Sequence, residues 1–487
     1  MGAAGVAAIA FATAGPPARA VSPSGLTGPQ FAPATLLLSR SEHGGLPNGP
    51  SCCGVVSHDQ RIGAVMAFES TASDITHGAR LGTPNVYAVL RRGPWSVHGS
   101  MWVPGRRILV SRGLHGRPAN GPSYAPAVSG DSAHPPRCVA FISRASNLVP
   151  GDGNRVADAF VLDLASRRIQ RVSVDTAGAE ADQATTEVAV SGDCRRVAFT
   201  SAASNLAETR PVAGARTGRP RPGTRQVYVR FLAGSGRMSG LTMLASALGA
   251  RPANADAAGL SLSRDGTALA FVSAASDLGA PSRGVAQVWE RAITLGGSLS
   301  GRTRLVSQAP GRLGGNGPSS RPSIDHDGRL IAFATTATDL LPGANGVTQI
   351  VRADTTGPAP KLNWISQSSP QVAVGAGVSS DPKITDGGEW VFFDSAAENL
   401  EGPRAWTPGE REVFRWTSPD LVSSKDTRFV ADRSLGGPIN LPARTGAWNP
   451  DTSARGNYLV FESEDQGLDP RLPHGAEPPW YIPAPSG

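Results

Sequence analysis

The chain has 487 residues, of which 40% are hydrophobic, 17% charged, 58 Gly and 41 Pro; it is too apolar to be disordered throughout, and its Gly lacks the three-residue period of collagen. The formal charge of +7 comes from 46 basic residues, of which only Lys361, Lys383 and Lys425 are lysines. The arginines are dispersed rather than gathered in a stripe with aromatics, which argues against a nucleic-acid partner, and no apolar run reaches the ~20 residues of a membrane helix, so no transmembrane segment is expected in the mature chain.

Residues 1–20, MGAAGVAAIAFATAGPPARA, hold an apolar stretch from Ala3 to Ala14 and then the small-x-small triplet Ala18-Arg19-Ala20. This predicts a signal peptide cleaved after Ala20, although no Lys or Arg precedes the apolar stretch. Residues 21–34 read as a linker and 35–487 as one domain. Four cysteines, Cys52, Cys53, Cys138 and Cys194, suit an exported protein and allow three complete pairings. Cys52 and Cys53 lack the two-residue gap of a zinc knuckle and have no His at ligand spacing, which favours disulfides over metal. Cys138 and Cys194 fall in corresponding regions of successive repeats and are the first choice for a bridge, with two small buried thiols as the alternative.

One pattern recurs along the chain: FESTASDI from Phe68, FISRASNL from Phe141, FTSAASNL from Phe199, FVSAASDL from Phe271, FATTATDL from Phe333, FDSAAENL from Phe393 and a degenerate FESEDQGL from Phe461. The mean period is about 65 residues. Before the Phe comes a turn and an alternating run, as in SRDGTALAF and DHDGRLIAF. Asp-Gly supplies the positive φ of a hairpin, so two antiparallel strands are expected there. A polar-aliphatic-aromatic triplet such as Asn85-Val86-Tyr87 or Gln226-Val227-Tyr228 marks a third strand. A run ending in Ser, such as Leu305-Val306-Ser307, marks a fourth. Four antiparallel strands per unit, with no helical period, predict an all-β fold, a seven-bladed β-propeller. The C-terminal copy ends at a third-strand candidate, Trp480-Tyr481-Ile482, and Leu37-Leu38-Ser39 matches the missing fourth. The last blade is therefore expected to be closed by an N-terminal strand, in a monomer.

With their DG turns, V-A-F strands, S-x-A-S-N-L loops and Q-V-Y-V-R strands, these units resemble the TolB-like propeller repeats of exported bacterial proteins. The resemblance spans all seven units and carries framework residues only. It implies a secreted or periplasmic scaffold that binds a protein or glycan partner; related propellers also cap the active sites of prolyl-oligopeptidase-type hydrolases.

Candidate binding positions follow from the repeat. Asp74, Asn147, Asn205, Asp277, Asp339 and Asn399 occupy one loop position in six units and form a quasi-symmetric polar ring, although Asn and Asp also recur in loops for their backbone hydrogen bonds. Trp95 and Trp102, in the insertion from Arg91 to Arg107, are the exposed-aromatic candidates. The turns holding His58-Asp59 and Asp325-His326-Asp327 offer too few ligands for a metal. No Gly-x-Ser-x-Gly motif or phosphate-cradling loop is present, so no catalytic residue, cofactor or metal is assigned. A non-catalytic binding scaffold leads. The alternative is an extracellular hydrolase or lyase sited in the central funnel, which a convergence of His and carboxylates at one face would favour.

Overall fold

The computed structural model describes residues 5–10, 35–59, 62–93, 102–206, 219–249, 251–293, 302–368, 373–400, 410–418, 427–429 and 446–464. Seven four-stranded antiparallel sheets dominate. Six are blades of four consecutive strands. The first blade comprises Ser51–Val56, Val65–Ser70, Asn85–Arg91 and Pro104–Leu109; the following blades begin at Ser123–Val128, Thr185–Val190, Ala257–Leu262, Ser319–Ile324 and Ser379–Ile384. Helices among the described residues are single 3-10 turns.

The seventh sheet is composite. Trp448–Thr452 and Tyr458–Ser463 are joined by Gly5–Ala10, which pairs on its other side with Thr35–Leu37. This corrects the expected closure in two ways. Two strands, not one, come from the N-terminal part of the chain, and one of them lies inside the stretch that reads as a leader. An Ala-rich apolar hexamer satisfies a sheet edge as readily as a signal sequence, because either needs only hydrophobic residues with no charge. Trp480-Tyr481-Ile482 lies outside the described residues.

The first strands touch in a closed cycle, Trp448–Thr452 packing against both Ser379–Ile384 and Ser51–Val56, so these strands line a common axis. The second strands are apolar because each is covered on both faces by neighbouring blades. All seven repeat Phe residues are fully buried, and Ile75, Leu148, Leu206, Leu278, Leu340 and Leu400 are buried beside them. Burial of each such side chain contributes about 1.5–3 kcal/mol of transfer free energy. Phe68 lies opposite Tyr87 and stacks on it at 5.7 Å, as Phe199 does on Tyr228 at 5.6 Å.

The recurring polar residue of the third strand and the recurring Ser of the fourth are one device. Ser246 Oγ donates to Gln226 Oε1 at 2.6 Å and accepts from the Val227 N–H at 2.9 Å; Ser307 with Gln287 and Val288, and Ser366 with Gln349 and Ile350, repeat it. The third-strand arginines bolt neighbouring units together. Arg291 donates to the Ala247 carbonyl at 2.9 Å, Arg352 to Ser418 Oγ at 2.9 Å and Arg91 to the Tyr458 hydroxyl at 2.9 Å. Cys138, on the second strand of the second blade, is bonded to Cys194 in the first turn of the third, with Cα atoms 6.1 Å apart.

Candidate functional site: the turn end of the channel

Each first strand runs into a short turn before the second strand, and these turns gather at one end of the axis. Their framework is a Ser-x-Asp unit. Ser263 Oγ accepts the Ala268 N–H at 2.9 Å and donates to Asp265 Oδ1 at 2.7 Å; Ser57 and Ser191 hold Asp59 and Asp193 in the same way. Neighbouring turns are stitched by backbone bonds, from the Gly130 N–H to the Gly192 carbonyl, from Gly192 to Arg264, from Asp265 to His326, from His326 to Asp386 and from Asp386 to Ala454. The residue x of each turn lies at these junctions between turns. Around the ring these residues are His58, Gly130, Gly192, Arg264, His326, Asp386 and Ala454.

His58, only 4% exposed, reaches Asp386 with its Nδ1 at 2.6 Å from Oδ1. His326 approaches the other carboxylate oxygen at 3.7 Å, with a side chain that is 32% exposed. Arg264 reaches across to the Val128 carbonyl at 3.4 Å. Nearby, Asp131 and His134 form a second pair at 3.0 Å, and Asp131 fills the space over Gly192.

Burial alone would push the Asp386 carboxyl up; the charge of His58, the nearby His326 imidazole, the hydrogen bond from His58 and the charge of Arg264 instead hold it well below the usual carboxylate range. Asp386 in turn raises His326 against the opposing effect of burial, with Asp265 and Asp131 adding to it. His58 Nε2 is buried and has no hydrogen-bond partner among the described residues. In this cluster one carboxylate holds the His58 imidazole by a hydrogen bond and has the His326 imidazole within ion-pair distance, under the charge of Arg264.

The sequence pointed to His58 and His326 only as members of ordinary turns and assigned Asp386 no role. Nothing local distinguishes them, since they are 60 or more residues apart. The signal that finds them is positional. Each is the middle residue of a repeated turn, the position that varies most from unit to unit.

The six loop residues of the expected polar ring lie at the opposite end of the blades, where each is a clamp. Asp74 accepts the N–H of Asn48 at 3.0 Å, Asn147 that of Asn120 at 3.0 Å and Asn205 that of Asp182 at 3.1 Å. Asp277 accepts from Asn254 at 3.0 Å, Asp339 from Asn316 at 2.9 Å and Asn399 from Ala376 at 2.7 Å. Trp102 is a correction: it is 3% exposed, packs in the first-blade core and donates its indole N–H to the Gly63 carbonyl at 2.7 Å. An indole with a nearby carbonyl is more stable buried than wet. Trp95 lies outside the described residues.

Comparison with known proteins returns propellers. No family profile matches the chain, and no curated protein matches it. Among solved structures the chain is similar to TolB from Acinetobacter baumannii, at 12% identity and a TM-score of 0.35 over 79% of this chain and 77% of that one. It is similar to an oligogalacturonate lyase from Vibrio parahaemolyticus, at 10% identity and a TM-score of 0.44 over 86% and 92% of the two chains. The β-propeller domain of the Trilobed protease from Pyrococcus furiosus matches at 11% identity and a TM-score of 0.43, over 85% of this chain and 95% of that one. These proteins differ in activity and agree in architecture, and the chain's own strand pairing identifies it as an all-β propeller of four-stranded blades.

Proposed function

We propose that this chain is a non-catalytic binding propeller of the exported type, with the composite sheet as its seventh blade and the turn end of the channel as its recognition site. The observation that carries this reading is the permanent cation Arg264 at the turn end, whose charge acts on Asp386 beside His326. A permanent guanidinium, and an imidazole whose protonated form Asp386 favours, suit an acidic group presented by a protein or glycan partner. The Cys138–Cys194 bridge supports an oxidising, extracytoplasmic address. The test is titration with acidic peptides and uronic-acid oligosaccharides, with neutral counterparts as controls, followed by the imidazole NMR signals of His58 and His326. Acidic ligands are expected to move both signals in the native chain and to bind more weakly to R264A. Signals that stay fixed across the panel would remove the site from the reading.

A second reading, a hydrolase or lyase, is favoured by the convergence of His58, His326 and Asp386 at one end of the channel, from turns far apart in sequence, and by one detail of it. Asp386 holds Nδ1 of His58 and leaves Nε2 without a partner among the described residues, which is how an imidazole is prepared as a general base. Turnover of any uronic-acid substrate, abolished in H58N, would replace the binding reading with this one.

A further inference from the structure

Adjacent residues of a regular strand point to opposite faces, so the neighbouring cysteines of the first blade should be kept apart. A bulge between Cys52 and Val55 breaks the alternation, and Cys53 adopts a left-handed φ of 60°. Both sulfurs thereby reach one side, where Glu69 stands as the cross-strand partner of Cys52. A ligand atom from each of Cys52, Cys53 and Glu69 lies within 4.8 Å of the other two. The two sulfurs are bonded to each other. Cys53 is open to solvent, while Cys138 of the other bridge is fully buried. Burial first, and then the charge of Glu462 in the composite sheet, push the Glu69 carboxyl up to about 7, and Glu462 itself accepts the Cys53 N–H at 2.7 Å.

We propose that reduction of the Cys52–Cys53 bond opens a binding site for one soft divalent cation, held by the two thiolates and the Glu69 carboxylate, with water as the fourth ligand. Cysteine and carboxylate ligands, three from the protein and one from water, suit an open tetrahedral zinc-type site. The chemistry balances through thiol-disulfide exchange with a small dithiol. One dithiol sulfur attacks, and the second displaces the mixed disulfide. The reductant leaves as a cyclic disulfide, having passed two electrons and two protons to the cysteines. Metal binding then releases the two thiol protons.

Cadmium is the probe. The full chain is reduced with dithiothreitol, desalted without oxygen and titrated with Cd²⁺ while thiolate-to-cadmium charge-transfer absorbance is followed. One equivalent is expected to saturate the reduced protein, with no signal from the oxidised protein. C52S/C53S loses the signal. E69Q keeps both thiols and binds more weakly, by about tenfold or more, on the scale of losses seen when a metal site's supporting groups are removed. Circular dichroism of each variant separates loss of the site from loss of the fold. A signal persisting in C52S/C53S would move the metal to Cys138 and Cys194 and overturn the proposal; so would reduced protein that gives no signal, or E69Q binding equal to native.

Discussion

Asp325 stands where Ser57, Ser129, Ser191, Ser263 and Ser453 begin the corresponding turns. Ser accepts the N–H at the start of the second strand without carrying charge, as Ser453 does from Tyr458 at 3.1 Å. A buried carboxylate in the same place pays for desolvation, which pushes Asp325 up to about 7 against the lowering effect of the Leu330, Gly328 and Arg329 backbone. Its folded pKa lies above the unfolded value near 3.9, so stability is fullest below about pH 4 and falls as pH rises toward 7. D325S is therefore expected to raise Tm, and by more at pH 8 than at pH 5; an equal gain at both would show that Asp325 titrates normally. The His326–Asp386 pair has the same sign at a higher pH. Asp386 raises His326, so their mutual stabilisation is present below the ordinary imidazole pKa of about 6.5 and is lost as pH rises through the raised value. D386N should bring the His326 titration, followed by NMR, down toward that ordinary value. An unmoved midpoint would mean that Asp386 does not set the charge of the cluster.

At the scale of the element, the pairing of third-strand amide with fourth-strand Ser explains why both positions recur. In S307A the Gln287 side-chain oxygen and the Val288 N–H lose a buried partner, at an expected cost of about 1–3 kcal/mol, readable by denaturant unfolding. These strands were legible because hairpin turns, alternation and an aromatic pair that stacks across two strands all leave marks in the local sequence. Gly5–Ala10 was not legible as a strand. A run of Ala, Val and Ile without polar alternation fits a leader or a buried strand equally, and only its pairing with Tyr458–Ser463 and Thr35–Leu37 decides. A chain beginning at Val21 would lose the strand that joins those two, leaving Tyr458–Ser463 as an open edge. Its Tm should fall by several degrees relative to the full chain; equal values would show that Gly5–Ala10 is dispensable to the sheet.

For the whole molecule, the ring is a set of nearest-neighbour junctions, and the site at its turn end exists only once the junctions are made. That is why the repeat was readable while the site was not: the repeat is written within each unit, whereas His58, His326 and Asp386 meet only through closure. The same logic gives a test of how cooperatively the ring folds. In a linear repeat array, stability is a sum of unit and interface contributions and a weakened interface can open alone. In a closed ring every unit has two neighbours, and opening one junction exposes apolar faces on both sides. The Cys138–Cys194 bond spans the junction of the second and third blades across a sequence separation of 56, a loop whose closure is worth up to about 4 kcal/mol in the chain-entropy account. C138A/C194A is therefore expected to unfold in one calorimetric transition at a lower Tm, with calorimetric and van't Hoff enthalpies in agreement. Two resolved transitions would mean that the second and third blades part independently, and that the turn-end cluster is held by its local junctions rather than by the ring.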